Sequence, residues 1–169
     1  IWLSVHRKEM AMSDPSSQMR FAAGHEAGAV ACALCSNGVM VEAEPDLGAA
    51  IELTQRLIAM PHDGAVFEAT FAHEGVLVRV DIMEPDGAGG WSVAEVKSST
   101  SVKDYHAGDL ATQIWVMSNC GVSISSAAIR HIDKSFVLTT AGDYRGLFAD
   151  VGLGDALQPI IANRANVVA

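Results

Sequence analysis

The sequence has few cysteines and no hydrophobic run long enough to cross a membrane. The apolar stretch from Ala27 to Cys35 is about half of the roughly 18 residues that a membrane-spanning helix needs. No signal-peptide pattern opens the chain. The three cysteines, Cys32, Cys35 and Cys120, are too few and too unevenly spaced for a disulfide framework. We therefore expect a protein of the reducing cytoplasm without a membrane segment.

Basic residues are also scarce. The chain has 11 Lys and Arg against 20 Asp and Glu, a net charge of −9, which argues against a strongly basic nucleic-acid-binding surface. Half of the residues are hydrophobic, which excludes a disordered chain. With 169 residues, a single domain spanning 1–169 is expected. Because the chain opens on Ile1 rather than Met, we expect it to be a piece of a longer protein, whose remaining domains would be its partners.

The periodicity of apolar residues and the turn signals predict a mixed α/β chain. The expected elements are helices at about Ser13–Cys35 and Leu47–Met60, strands at Ala65–Phe71, Val76–Met83 and Trp91–Lys97, a helix at Tyr105–Asn119, strands within Val122–Ile132 and Ser135–Thr139, and a helix within Gly154–Val168. This order, α-α-β-β-β-α-β with a C-terminal helix, indicates an α+β fold in which helices cover a mixed sheet.

The first helix has an apolar face that should pack against the body of the protein. Its members follow helical spacing and are Phe21, Gly24, Gly28, Ala31, Cys32 and Cys35. His25 lies on that face, and Glu26 lies about 100° around the helix from it. Gly24 and Gly28 leave room for close approach of another backbone. His25 is therefore expected to point inward, with Glu26 at the margin.

The strand Trp91–Lys97 places two charges on one of its faces. Side chains alternate along a strand, so Glu95 and Lys97 share one face while Ala94 and Val96 share the other. Isolated charges are costly away from water. The two side chains could neutralise each other as an ion pair, or they could serve a metal ion and a reacting phosphate.

A second carboxylate precedes this strand. Asp81 lies 14 residues before Glu95 (95 − 81), on the neighbouring strand of the predicted meander. If the two strands pair around the intervening turn, both carboxylates converge at the sheet, where oxygen ligands suit Mg²⁺. The alternative is a Glu95–Lys97 ion pair with an unrelated acid nearby. On the pattern alone, this ion-pair interpretation ranks at least equal to the metal-site interpretation.

The motif order resembles that of a nuclease family. Asp81, then Glu95-Val96-Lys97, then Gln113 on the following helix resembles the PD-(D/E)XK nuclease superfamily. The similarity is to its RecB-like branch, which includes the CRISPR-associated RecB-like exonucleases. The string Glu-Val-Lys-Ser-Ser-Thr is similar to that of one set of bacterial multidomain proteins in this branch. The resemblance covers most of the chain.

This resemblance implies a restriction-endonuclease-like core and a Mg²⁺- or Mn²⁺-dependent nuclease, with DNA rather than RNA as the expected substrate. It implies that Asp81 and Glu95 are metal ligands and that Lys97 is the catalytic lysine. It also implies that Gln113 contacts the substrate or orients the site. In RecB-like members a histidine of the first helix completes the metal site, and His25 matches it by position and by helical face.

The expected roles of His25 and Glu68 each have an alternative. Judged from the residues alone, a lone histidine on an apolar helix face is more often a core residue than a ligand. Glu26 is the alternative to His25 as a ligand. Glu68, in the first strand of the meander, is expected to support the metal ligands from behind, although it could instead face solvent.

The sequence also departs from the family pattern. Met117 stands where members often have a tyrosine, four residues after the glutamine, and three cysteines cannot hold the four-cysteine iron–sulfur cluster of some members. Together with the net charge of −9, these departures keep a second function open. In it, the domain is a non-catalytic binding or assembly module of a larger DNA repair or defence protein.

Overall fold

The computed structural model describes residues 15–60, 63–164 and 166. Its elements are, in order, α1 (Pro15–Ala33), β1 (Val39–Met40), α2 (Leu47–Ala59), β2 (Val66–His73), β3 (Val76–Pro85), β4 (Trp91–Lys97), α3 (Asp104–Asn119), β5 (Ile124–Ile132), β6 (Phe148–Gly152), a 3₁₀ turn (Gly154–Leu157) and α4 (Gln158–Ala162). The expected α+β class is confirmed. Within these described ranges, no helix combines the length and the apolar character that crossing a membrane requires.

Six strands form one mixed sheet in the order β1-β2-β3-β4-β5-β6. The meander of β2, β3 and β4 is antiparallel, as its short polar turns predict. The strand β1 pairs parallel with β2, β4 pairs parallel with β5, and β6 closes the far edge antiparallel to β5. The parallel β4–β5 pair is joined by α3, the usual connection between parallel strands.

The two edges of the sheet differ from expectation. The two-residue strand β1 and the strand β6 were not predicted, and the strand expected within Ser135–Thr139 is wrong. Ser135 donates hydrogen bonds from both its backbone N–H and its hydroxyl to Asp133 Oδ1, so turn chemistry competes with strand pairing there. The strand β6 is held through Arg130 of β5, whose guanidinium donates to both carboxylate oxygens of Asp150 at 2.8 Å.

The ends of the helices agree with their local signals where these can be compared. Asp46 caps α2, since its Oδ1 accepts hydrogen bonds from the backbone N–H groups of Gly48 at 2.8 Å and Ala49 at 3.3 Å. The proposed cap of α1 at Ser13 or Asp14 lies outside the described residues. The C-terminal helix α4 spans Gln158–Ala162, inside the predicted range of Gly154–Val168, and residues 165 and 167–168 of that range lie outside the described residues.

One face of the sheet carries the larger core. The helices α2 and α3 cover it, and the expected stripe of α3 is buried there: Leu110, Ala111, Ile114 and Met117. Val80 and Met83 of β3 and Leu157 of the 3₁₀ turn complete the packing. Apolar periodicity along α2 would place Leu47 inward, but it is 46% exposed because it is the first residue of the helix.

The opposite face carries a smaller core under α1. Its buried members are Ala31, Ala65, Phe67, Ile82 and Ala94. Only the second half of α1 reaches the sheet, so the prediction that Phe21 packs inward is wrong: its side chain is 72% exposed. The expected close backbone approach at Gly24 and Gly28 is also wrong, since a methyl group added at either would meet no described atom within 4 Å.

Both β2 and β3 are interrupted at the same level. The ladder of β2 and β3 contains the pairs Phe67–Ile82 and Ala69–Val80 but lacks the pair that would lie between them. Glu68 and Asp81 lie opposite each other in the gap, and Glu68 has a backbone φ of +55°, in the left-handed region that a non-glycine strand residue rarely adopts. The hydroxyl of Thr70 donates to the carbonyl oxygen of Glu68 at 3.0 Å, which supports this bend.

The interruption changes which side chains share a face. Val80 and Met83 both belong to the larger core, whereas Ile82 belongs to the smaller core under α1. Strict alternation along β3 would place Ile82 on the face of Val78 and Val80, but it lies on the opposite face. One irregular position in a strand reverses the alternation beyond it, and the break at Asp81 has that effect.

Candidate functional site

Asp81 lies where β3 and β4 separate. The last pair of their ladder on this side joins Ile82 to Ala94, so the strands are no longer paired at Asp81. The Asp81 Oδ2 atom accepts a hydrogen bond of 2.7 Å from the backbone N–H of Val96. The carboxylate thus takes the place of a missing strand partner, which fixes its direction at the opening between the strands.

This opening leads into a cavity of about 580 Å³ between α1 and the sheet. Four acidic residues line it, namely Glu42, Glu68, Asp81 and Glu95, together with His25 from α1. The structure therefore brings together Asp81, Glu95, His25 and Glu68 from four separate segments of the chain. Glu26 is exposed on α1 and is not among the residues that line the cavity.

Glu95 is the most enclosed acid of the site and is fixed at both oxygens. It is 8% exposed. Its Oε1 lies 2.7 Å from Lys97 Nζ, and its Oε2 accepts a hydrogen bond of 2.6 Å from Gln113 Nε2. Asp109 Oδ2 lies 3.6 Å from Lys97 Nζ on the other side. The strand β4 and the helix α3 thus form a connected polar group around Glu95.

The ionisation of Asp81 and Lys97 is shifted by these surroundings. Burial, followed by repulsion from Glu95, raises the pKa of Asp81 from 3.8 to about 7, against the opposing hydrogen bond from Val96. Burial alone would lower the pKa of Lys97. The hydrogen bond and charge of Glu95, with help from Asp109, raise it above its usual value instead. The site thus holds a protonated lysine beside two acids that repel each other.

His25 shares the cavity with Asp81 and Glu95, but the three do not form a ready ligand set. In the ranges that the structure describes, no three His, Cys, Asp or Glu side chains lie close enough together to hold one metal ion. His25 is exposed, on the half of α1 that extends beyond the sheet. Completing a three-ligand site would require His25, or another group of the cavity, to move toward the two carboxylates.

Three further residues contribute to the site, and two of them have a signal in the sequence. Asp109 is one helical turn before Gln113, so the i, i+4 spacing on α3 could have indicated it. Arg79 lies two residues before Asp81 on β3, so the strand period places the two on one face. The sequence suggests Arg79 as a contact for a nucleic-acid backbone, although a lone arginine is more often a solvated charge. Glu42 follows a two-residue strand and had no signal of its own.

The cysteines near the cavity show no feature of a metal site. Cys32 and Cys35 are free, partly buried and packed against the smaller core. Burial raises the pKa of the Cys32 thiol to about 11, so the thiol stays protonated at neutral pH. A protonated thiol is a poor metal ligand.

Comparison with known proteins adds little. No protein-family model matches the chain, and no curated protein matches it. The crystal structure of SSO0001 is similar at a TM-score of 0.34 and 12% sequence identity, over 90% of this chain and 87% of that chain. A likeness at this level carries no argument about fold or function.

Proposed function

We propose that the protein is a divalent-metal-dependent nuclease that hydrolyses phosphodiester bonds, with DNA as the expected substrate and a restriction-endonuclease-like core. The observation that carries the proposal is the position of Asp81 and Glu95. Asp81 lies at the separation of β3 and β4, and Glu95 lies on β4, yet both residues line one cavity. Repulsion from Glu95 is one cause of the raised pKa of Asp81. Lys97 and Gln113, the other two residues of the motif that the sequence resembles, both contact Glu95. These contacts support the proposal.

The donor set suits a hard divalent cation. Asp81 and Glu95 would hold Mg²⁺ or Mn²⁺, with His25 as the expected third ligand and Glu26 as the less favourable alternative. Such an ion, when bound, supplies Lewis-acid polarisation of a phosphoryl oxygen and activates water. The fit is supported by the raised pKa of Asp81, because two carboxylates that repel each other gain most from a cation between them.

The remaining residues have roles that follow from their contacts. Lys97 keeps its positive charge beside Glu95, so its ammonium can orient the attacking water and offset negative charge that develops on the phosphate. Gln113 holds one oxygen of Glu95, leaving the carboxylate in a single orientation. The Oε1 of Gln113 is buried without a partner and is available to accept a hydrogen bond from a water or a substrate group.

A non-catalytic binding or assembly module is the second candidate. The net charge of −9, the methionine at position 117 and the exposed position of His25 favour it. In that case the Glu95–Lys97 contact is an ion pair that serves the fold. Either function is proposed for the cytoplasm, with the other domains of a longer chain as partners, and a second domain could supply the basic surface that this one lacks.

The test combines a metal titration with a cleavage assay. Calorimetry should show Mn²⁺ binding to the wild type, and single- or double-stranded DNA should be cut in Mn²⁺. Asp81→Ala should lose metal binding and cleavage, while Lys97→Ala should bind metal but cut at least about 100-fold more slowly. Lys134→Ala, which removes an exposed lysine outside the cavity, is the matched control and should cut normally. A wild type that binds no divalent ion at millimolar concentration would falsify the catalytic proposal.

A further inference from the structure

Arg79 is the only lysine or arginine among the described residues that line the cavity. It lies on β3 two residues before Asp81, and the strand period places both side chains on the α1 side of the sheet. The other charged residues of the lining are the four acidic residues and His25. A phosphate that enters this cavity can therefore meet Arg79 from the lining, in addition to Lys97, which contacts Glu95.

The guanidinium of Arg79 is only partly engaged. Its Nη2 donates to the carbonyl oxygen of Val41 at 3.2 Å and lies 3.3 Å from Glu68 Oε2. Both contacts use the same nitrogen, whereas a strong arginine–carboxylate pair uses two parallel hydrogen bonds. The Nε atom is buried with no partner, which costs free energy. Arg79 thus has unused capacity for an oxyanion with forked geometry.

Glu68 is the group that currently faces this arginine. Its left-handed backbone, φ +55°, lies in the gap of the β2–β3 ladder opposite Asp81. Strained backbone of this kind is commonly found at functional sites. The side chains of Glu68 and Arg79 are each about one third exposed, at 35% and 36%, so the pair is open to the cavity rather than sealed in the core.

We propose that Arg79 binds a phosphate group of the nucleic-acid strand in the cavity, and that Glu68 holds its guanidinium in place until the phosphate replaces the carboxylate. This inference rests on the proposed function, since it names the residue through which the same cavity holds its substrate. Glu68 is then a positioning residue that acts through Arg79. The competing explanation is a structural ion pair that joins β2, β3 and the segment after β1.

The experiment measures DNA affinity without cleavage. A short fluorescein-labelled DNA, tested as a single strand and as a duplex, is titrated in Ca²⁺ over a series of NaCl concentrations, with fluorescence anisotropy as the readout. Arg79→Gln should weaken binding about tenfold. It should also reduce the slope of log affinity against log salt by about 0.7 for the single strand or about 0.9 for the duplex. Arg145→Gln, which removes an arginine that is 83% exposed and outside the cavity, is the matched control and should change neither.

Two further variants separate a phosphate contact from a structural role. Arg79→Lys keeps the charge and loses the fork, so it should keep the salt slope while losing part of the affinity. Glu68→Gln should tighten binding about threefold in the wild-type background and have no effect in the Arg79→Gln background, because its action runs through Arg79. If Arg79→Gln fails to fold, the salt slope of Arg79→Lys and the effect of Glu68→Gln on affinity distinguish a phosphate contact from a structural ion pair.

The binding experiment tests the role of Arg79 independently of whether the protein cuts DNA. Equal affinity and salt slope in Arg79→Gln and Arg145→Gln would overturn it, even if the wild type cuts DNA. Failure of the wild type to bind either form of DNA would overturn it as well. Arg79-dependent binding by a wild type that does not cut in Mn²⁺ would support Arg79 as the phosphate contact and leave only the catalytic proposal refuted.

Discussion

The two faces of the sheet differ in how they are packed. The face under α2 and α3 carries most of the buried hydrophobic side chains, including Leu110 and Met117, which are fully buried. The face under α1 has a small core made largely of alanines with Phe67 and Ile82, and beside it lies the cavity with its four acidic residues. The larger core and the cavity thus lie on opposite sides of one sheet, while Gln113 and Asp109 extend the candidate site to α3.

The difference has a physical reason. Burial of apolar side chains on the α3 face supplies most of the hydrophobic free energy, at about 25 cal/mol per Å² of apolar surface. The opposite face carries features that cost free energy, namely the left-handed backbone of Glu68 and the repulsion between Asp81 and Glu95. Such features persist only when the surrounding structure is stable enough to hold them. We therefore expect packing on the α3 face to supply the free energy that offsets the cost of these two features.

The largest expected effect tests whether stability resides on the α3 face. Leu110→Ala removes a fully buried side chain and should lower the free energy of unfolding by about 2–5 kcal/mol. Met19→Ala on α1 removes a side chain that is 72% exposed and should change it by less than about 0.5 kcal/mol. Urea denaturation followed by circular dichroism measures both. Similar losses for the two variants would contradict the proposed division.

A smaller effect is expected at Asp81. At about pH 8 and without divalent ions, Asp81→Asn should raise the free energy of unfolding by about 1–2 kcal/mol, because it removes a buried charge that Glu95 repels. An asparagine oxygen can still accept the hydrogen bond from Val96. Thermal denaturation at several pH values measures the effect. Asp109→Asn is the control, since this exposed acid pairs with Lys97 and its loss should not stabilise.

The pH dependence of this effect has a definite sign. The folded-state pKa of Asp81, about 7, is above its ordinary value of 3.8, so the folded state binds a proton first as the pH falls. The wild type should therefore gain stability relative to Asp81→Asn from about pH 7 down to about pH 4. An advantage of Asp81→Asn that stays constant over this range would show that the carboxyl group is not shifted.

The smallest expected effect compares glycines in the two helices. Gly24→Ala in α1 should stabilise the protein by about 0.5–1 kcal/mol, because the helix interior favours alanine and no described atom lies within 4 Å of the added methyl group. Gly108→Ala in α3 should gain less, since its methyl group would meet Arg164 Nη2 at 3.3 Å. Thermal denaturation measures both. A loss of stability in Gly24→Ala would mean that α1 is packed more closely than the structure shows.

The local signals predicted much of the fold. Apolar periodicity identified α2 and α3, and the turn signals identified the meander of β2, β3 and β4. Each of these depends on residues close together in the chain. The edge strands β1 and β6 were missed because their pairing partners, rather than their own few residues, make them strands.

The candidate site divides in the same way. The alternation along β4 was enough to place Glu95 and Lys97 on one face, and the 2.7 Å contact between them confirms it. The expectation that Phe21 packs inward failed, because helical periodicity does not reveal where α1 leaves the sheet. The metal ligands, the catalytic lysine and the DNA substrate stay predictions until the titration and cleavage experiments are done.

The sequence by itself determined the class of the fold, the helices α2 and α3, and the shared face of Glu95 and Lys97, because caps and periodicities act over a few residues. Only the tertiary structure decided the gap in the sheet at Glu68 and Asp81, which changes the faces of β3 and opens the cavity. It also decided the contact between Glu68 and Arg79. These features depend on the pairing of separate strands, and no local pattern in the chain encodes such non-local contacts.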